Sequence, residues 1–338
     1  MIQSSLKKVV EGVHLSREEA YETMKDIMLG SALPTQIAAY LVALRMKSES
    51  IEEIVGSAKA MRDFATEVKP KSQNLVDTCG TGGDASGTFN ISTASAIVAA
   101  AAGIKIAKHG NRAVSSKSGS ADVLQSLGVN ISLSENQMAD CIDHVGISFL
   151  FAQSLHPAMK NAIGPRKELG VRTIFNMLGP LTNPAGVKRQ VIGVFHPMLT
   201  EVFAGVLKEL GSQHILAVHG DGGFDEISVT GATKITELKD GEIRTIRINP
   251  FEFGMKEHSV TELLGGTPEE NAEIIVSVFE GKKDGGSRSA VAVNAGAAIY
   301  VSGKADSINA GYEMAQDIIS DKKATQKLHE LVTFTNQY

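Results

Sequence analysis

Tryptophan is absent from this chain, aromatic residues reach only 5 %, and two cysteines, Cys79 and Cys141, are the only thiols in 338 residues. Two such distant thiols build neither a disulfide framework nor a thiolate metal cluster. An excess of positive charge is missing as well. The 33 Lys and Arg stand against 38 Asp and Glu, a net charge of −5, so no basic field is available for nucleic acid. No apolar run is long enough to span a bilayer: the longest, 94–103, is alanine-rich and too short. Residues 1–13 carry Lys7, Lys8 and Glu11 and lack the uninterrupted apolar core of a secretory signal, so a cytoplasmic location is expected. Repeats and low-complexity tracts are also missing. The two commonest phosphate fingerprints are absent: there is no G-x-x-x-x-G-K-[ST], and Gly80-Thr81-Gly82-Gly83 is not G-x-G-x-x-G.

What the chain does have is 43 % hydrophobic residues and enough length for two domains. It also has two unusual loops. Residues 77–84 read DTCGTGGD, and residues 108–122 read KHGNRAVSSKSGSAD. Each follows a short apolar run and precedes a helix-like stretch, which puts both at the carboxyl ends of strands, where open α/β sheets bind ligands. Glycine lets backbone N–H groups approach an anion closely, and the next helix adds partial positive charge from its N-terminus. Lys108, Arg112 and Lys117 put full positive charges around the second loop. Two anion cradles this close in sequence point to one ligand with two phosphate groups. Cys79, inside the first loop, reads as a small filler beneath a turn rather than as a nucleophile.

The first ~66 residues read as helices only. Ser16-Arg17-Glu18-Glu19 and Ser50-Ile51-Glu52-Glu53 are capping boxes, Gly30 ends the first of these helices and Pro34 starts another. Residues 67–74 form a polar linker containing Pro70. From Leu75 onward β-rich runs at 75–77, 104–107, 129–131, 147–151, 191–195 and 214–219 alternate with helical spacing at 92–102, 120–127, 135–144 and 200–210. Such alternation predicts a mostly parallel sheet covered by helices. Residues 233–238 and 243–248 read as a hairpin across Asp240-Gly241. Residues 268–281 and 290–301 return to helix, while 156–186 interrupts the alternation with a helix and a Gly/Pro/Asn-rich loop.

The paired loops resemble the anthranilate phosphoribosyltransferase family. The resemblance continues through Arg166-Lys167-Glu168-Leu169-Gly170, VRTIFNMLGPLTNP at 171–184, Val218-His219-Gly220 and Asp225-Glu226-Ile227-Ser228, collinear from about residue 20 to beyond Asn271. Phe224 stands before Asp225 where the family pattern has Leu or Ile, a conservative change. The resemblance implies an α/β protein with a small all-helical domain (1–70 with 156–186) on a larger α/β domain with a mostly parallel central sheet (71–155 with 187–338). Its substrates, 5-phosphoribosyl diphosphate (PRPP) and anthranilate, would lie in the cleft between them, and a homodimer is expected.

The resemblance also implies the site. Gly80, Gly83, Asp84, Thr88, Asn90, Ile91, Ser92, Thr93, Lys108, His109, Gly110, Asn111, Arg112, Ala113, Val114, Ser115, Ser116 and Ser120 match PRPP contacts. Asn90 to Thr93 also fit a plain helix N-cap. Arg166, with Gly80 and Asn111, matches the anthranilate contacts. A guanidinium fork suits a carboxylate, but spacing alone does not choose Arg166 over Lys160, Lys167 or Arg172. Asp225, Glu226 and the Ser92 hydroxyl match ligands of Mg²⁺, an oxygen-seeking cation that keeps phosphate and water ligands; a solvated acidic turn is the bland alternative. No covalent nucleophile is needed. His109 reads as a hydrogen-bonding wall, with acid/base work as a weaker alternative. A pyrimidine nucleoside phosphorylase and a non-enzymatic nucleic-acid-binding relative share this architecture. The first would need base-recognition residues in place of Arg166 and the acidic loop; the second would need a basic face.

Overall fold

The computed structural model describes residues 1–82, 87–113 and 117–338. The chain opens with four helices, α1 (Ile2–Val10), α2 (Arg17–Met28), α3 (Pro34–Lys47) and α4 (Ile51–Asp63). Both capping boxes form as read: Ser16 and Ser50 accept from the backbone of Glu19 and Glu53, and both glutamates reach back. Met24 and Ile27, Tyr40 and Leu44, and Ile54 and Ala58 recur at helical spacing and are buried together.

After the linker come β1 (Val76–Gly80), α5 (Ile91–Ala101), β2 (Ile106–Gly110), α6 (Ser120–Ser126), α7 (Glu135–His144) and β3 (Ile147–Phe151). Short helices α8 (Ala152–Leu155), α9 (Lys160–Leu169) and α10 (Phe175–Leu178) lead to β4 (Arg189–Gly193), α11 (Leu199–Glu209) and β5 (His214–Gly220). The hairpin β6 (Thr233–Lys239) and β7 (Glu242–Ile248) follows, then α12 (Pro268–Phe279), α13 (Gly286–Ser302), α14 (Ile308–Ser320) and α15 (Lys323–Thr335).

The strands form one sheet in the order β3-β2-β1-β4-β5-β6-β7. Pairings from β3 to β5 are parallel, and the hairpin adds two antiparallel strands. Asp240 and Gly241 both take positive φ, as a tight two-residue hairpin turn requires. From β1 the chain winds outward to β3 and then returns to β4 on the other side of β1. That reversal opens a crevice at the carboxyl ends of β1 and β4.

Both faces of the sheet are covered, which explains its continuous apolar runs. Val191, Leu216 and Val218 point to a core shared with α5 and α13. Their neighbours Ile192, Ile215 and Ala217 face a second core with α4, α11 and residues 174–181. The alanine-rich stretch is α5, buried along most of its length against α13. Among the described residues no helix is long and apolar enough to cross a membrane.

Several sequence expectations fail here: β1 and β2 run on through residues 77–80 and 108–110, which read as the starts of the two loops. Residues 129–131 are not a strand; Val129 and Ile131 are buried in irregular chain between α6 and α7, and a short apolar run does not distinguish these cases. β4 begins two residues earlier than its apolar run, because Arg189 and Gln190 extend the ladder to β1.

Candidate active site

The first loop leaves β1 at the crevice. Thr81 donates its N–H to the Gly193 carbonyl at 2.8 Å, and its hydroxyl accepts from Phe195 N at 3.1 Å. Gly82 N donates to Asp225 Oδ2 at 3.2 Å, so the acidic segment after β5 rests directly on this loop. A Cβ on Gly80 would lie 2.7 Å from the same carboxylate oxygen. Asn294 of α13 holds the segment from behind: Oδ1 accepts from Ile227 N at 2.9 Å, and Nδ2 donates to Ile227 O at 3.0 Å. Phe224 is buried and plugs the turn. Asp225 and Glu226 are half-buried, so this is not a freely solvated acidic turn.

Lys108 is not a free charge around the second loop. Its side chain is buried and runs beneath the first, with Nζ donating to Thr78 O at 2.6 Å and to Ser92 Oγ at 3.4 Å. Burial lowers its pKa, while the neighbouring charges of Asp77, Glu226 and Asp225 oppose that shift. Asp77 is itself fully buried. Its Oδ1 accepts from His109 N at 3.1 Å, and its Oδ2 from Asn183 Nδ2 at 2.8 Å. Burial raises the Asp77 pKa; Lys108 and these bonds pull it back. Asn183 Nδ2 also reaches Ala107 O at 2.9 Å, strapping the TNP segment across β1 and β2. Burial pushes the Cys79 thiol well up, which fits a filler rather than a thiolate nucleophile.

The second loop is pinned by Asp122, a role that sequence reading missed. Its carboxylate accepts from Ala113 N and Gly119 N, both at 2.9 Å, and pairs with Arg112 at 2.8 Å. Arg112 also lies over the Phe151 ring. Its charge is thus partly engaged at home. Exposed Asn111 accepts through Oδ1 from Gln153 Nε2 at 3.2 Å, and through its carbonyl from Ser120 Oγ at 3.2 Å. Gly110 sits at the end of β2, where a Cβ would meet the Phe149 ring at 2.7 Å. Thr88 forms an isolated antiparallel bridge with Leu264. The side chains of Ile91 and Thr93 are buried at the start of α5, while Ser92 is half-exposed. Gly83, Asp84, Val114, Ser115 and Ser116 lie outside the described residues.

His109 is neither lone nor on a loop. It lies in β2, buried, with its ring centroid 5.2 Å from that of His156. Burial first, and His156 second, lower its pKa to about 3; burial lowers His156 to about 4. Burial thus disfavours the charged form of both imidazoles, which weighs against acid/base work by His109. Arg166 lies in the last turn of α9, half-buried, with its guanidinium 4.9 Å over the Phe175 ring. Burial lowers its pKa, and among the described residues no carboxylate pairs with it. An aromatic shelf beneath a cation without an acidic partner suits an aromatic carboxylate.

Asp225, Glu226 and the Ser92 hydroxyl offer only hard oxygen donors, and Lys108 lies near all three. Among the described residues no group of three His, Cys, Asp or Glu gathers as a cage. A cation held here would complete its shell from phosphate oxygens and water, the habit of Mg²⁺. The residues fit that ion.

Comparison with known proteins agrees with this geometry. Residues 3–65 match the glycosyl transferase family helical bundle domain, and residues 72–325 its a/b domain. The fold and paired loops therefore define a two-domain glycosyl transferase. Within that class, the chain belongs to the anthranilate phosphoribosyltransferase family. It is 51 % identical to the anthranilate phosphoribosyltransferase of Acetivibrio thermocellus over 100 % of this chain and 98 % of that protein. It is likewise 51 % identical to that of Teredinibacter turnerae, over 99 % of each. Among solved structures, the Thermus thermophilus enzyme superposes with a TM-score of 0.93 at 41 % identity, covering 98 % of this chain and 99 % of that one. The Saccharomyces cerevisiae enzyme in complex with PRPP and Mg superposes with a TM-score of 0.91 at 27 % identity, covering 100 % and 98 %.

Proposed function

We infer that this chain transfers the 5-phosphoribosyl group of PRPP to the amine of anthranilate, giving N-(5-phosphoribosyl)anthranilate and diphosphate. The observation that carries this reading is the seating of the Asp225–Glu226 segment on the first loop, with the Lys108 ammonium beneath both. This arrangement suits a diphosphate and its cation. The bond from C1 of the ribose to diphosphate oxygen breaks with its electron pair leaving on oxygen. C1 becomes oxocarbenium-like, the amine nitrogen bonds to it, and a proton departs. Positioning and electrostatics suffice for such a step. The first loop with Thr88 and Asn90 to Thr93, and the second loop from Lys108 to Ser116 with Ser120, hold PRPP. Arg166 pairs with the anthranilate carboxylate, with Gly80 and Asn111 at the junction of the two substrates. Mg²⁺, held by Asp225, Glu226 and the Ser92 hydroxyl, supplies neutralising charge for the leaving diphosphate.

The helical domain comprises 1–70 with 156–186, a division supported by the packing of α9 on α2 and α3. A homodimer through the N-terminal helices is proposed; these leave Val10, Leu33 and Met46 individually exposed. Two buried free thiols suit a reducing, cytoplasmic location. Loss of anthranilate fluorescence on adding PRPP and Mg²⁺ is the direct test of the activity; fluorescence that stays constant rejects it.

A further inference from the structure

We propose that Asn271, in the first turn of α12, is a positioning residue that locks Asn90 and so joins the two PRPP loops into one unit. This rests on reading those loops as the PRPP cradle.

Asn271 is buried, and its place is set by a capping box in which Thr267 Oγ1 accepts from Glu270 N at 3.3 Å and Glu270 Oε2 accepts from Thr267 N at 2.7 Å. Its own amide is fully directed. Oδ1 accepts from Gly266 N at 2.7 Å, and Nδ2 donates to Asn90 Oδ1 at 2.9 Å. The same Asn90 oxygen accepts from Ser118 Oγ at 3.1 Å, while Asn90 Nδ2 donates to Ser118 O at 3.3 Å. Asn90 stands at the N-cap of α5, yet its side chain makes no capping bond to that helix. The amide is used sideways instead, between α12 and the second loop. The backbone reinforces this arrangement: Phe89 N donates to Leu263 O at 3.0 Å, and Gly265 N to Gly87 O at 2.9 Å. A Cβ on Gly265 would lie 2.7 Å from Phe89 Cα and 2.5 Å from Asn271 Oδ1, so this approach admits glycine only. Three segments remote in sequence thus converge on one carbonyl oxygen, at the residue between the two cradles. Pre-organising loops lowers the ordering cost of binding, so loss of this lock is expected in PRPP affinity and not in the anthranilate subsite.

The test is Asn271→Asp, which keeps the size and the acceptor for Gly266 N but sets oxygen against Asn90 Oδ1. Calorimetric titration with PRPP and Mg²⁺, without anthranilate, is expected to give a Kd raised roughly tenfold or more, the effect of one buried polar group losing its partner. The PRPP KM should follow, with the anthranilate KM within about twofold. Ser118→Ala removes the other donor to the same oxygen, so the double variant should lose less than the product of the single effects. Wild-type chain that does not bind PRPP overturns the reading of the loops and this inference with it. Wild-type binding with an unchanged Kd in N271D overturns this inference alone. So does an equal rise of both KM values with a lowered Tm, the mark of a merely structural residue. Should N271D not fold, S118A decides, and an unchanged PRPP Kd there rejects the lock.

Discussion

A Cβ on Gly193, the last residue of β4, would stand 2.5 Å from the carbonyl carbon of Asp225 and inside the radius of its carbonyl oxygen. The acidic segment therefore lies in the space that a side chain at 193 would fill. Gly193→Ala is expected to displace Asp225 and Glu226 from the first loop. Turnover should fall at least about tenfold and the Mg²⁺ requirement should rise, since small misplacements at a reacting site are costly. A Mg²⁺ titration of G193A that overlays the wild-type curve contradicts this contact.

Arg166→Ala should weaken anthranilate far more than PRPP. Losing a charge-assisted pair costs roughly 1.5–3 kcal/mol, about ten- to a hundredfold in kcat/KM. Steady-state kinetics with each substrate varied in turn will tell. An unchanged anthranilate kcat/KM removes Arg166 from the site.

Double replacement of Asp225 by Asn and Glu226 by Gln keeps the shape and an acceptor for Gly82 N but deletes two charges. A large fall in activity and a higher Mg²⁺ requirement are expected. Unliganded Tm should fall modestly, because the buried Lys108 loses two compensating charges while the acceptor for Gly82 N is retained. Wild-type turnover with an unaltered Mg²⁺ dependence would falsify the metal assignment. PRPP affinity without metal is to be measured separately, since removing acidic charge relieves repulsion with the phosphates.

On β6, one strand in from the edge of the sheet, Glu237 is buried with three partners. His214 Nε2 meets Oε1 at 2.9 Å, Tyr300 OH donates to it at 2.7 Å, and Arg244 Nε donates to Oε2 at 2.7 Å. Burial alone would raise its pKa, but these bonds together lower it from 4.5 to about 2. A depressed carboxylate stabilises the fold above its unfolded pKa and loses that contribution as pH falls through its folded value. The window is thus pH 4.5 down to about 2, and the contribution is on the order of 3 kcal/mol. Urea unfolding of Glu237→Gln should show lower stability at pH 7 and a flatter acid limb. An acid limb as steep as in the wild type rejects the linkage.

Local physics made much of this protein legible in its sequence. Ser16 and Ser50 cap helices because a hydroxyl three residues before a glutamate satisfies free N–H groups wherever it occurs. Asp240-Gly241 turns a hairpin because those residues tolerate positive φ. The glycines and hydroxyls of the two loops advertise anion binding through their composition alone. Pairings through space were not legible. Lys108 looked like a loop cation until the fold buried its ammonium under Thr78 and Ser92. His109 looked solitary until His156 was folded against it, and Asp77, Asn183 and Asn271 carried no local signal for their partners, whereas Asp122 stands three residues after the N-cap Gly119 that it bonds. The apolar run at 129–131 fits a strand and a buried irregular segment equally well, so only packing separates them. The sequence by itself determined the elements, their caps and the chemistry of the loops, because each depends on neighbours a few residues away. The tertiary structure alone decided that β4 lies beside β1 and which buried polar groups meet there. A buried amide or carboxylate must find a partner, and the topology of the sheet determines which residues come within reach.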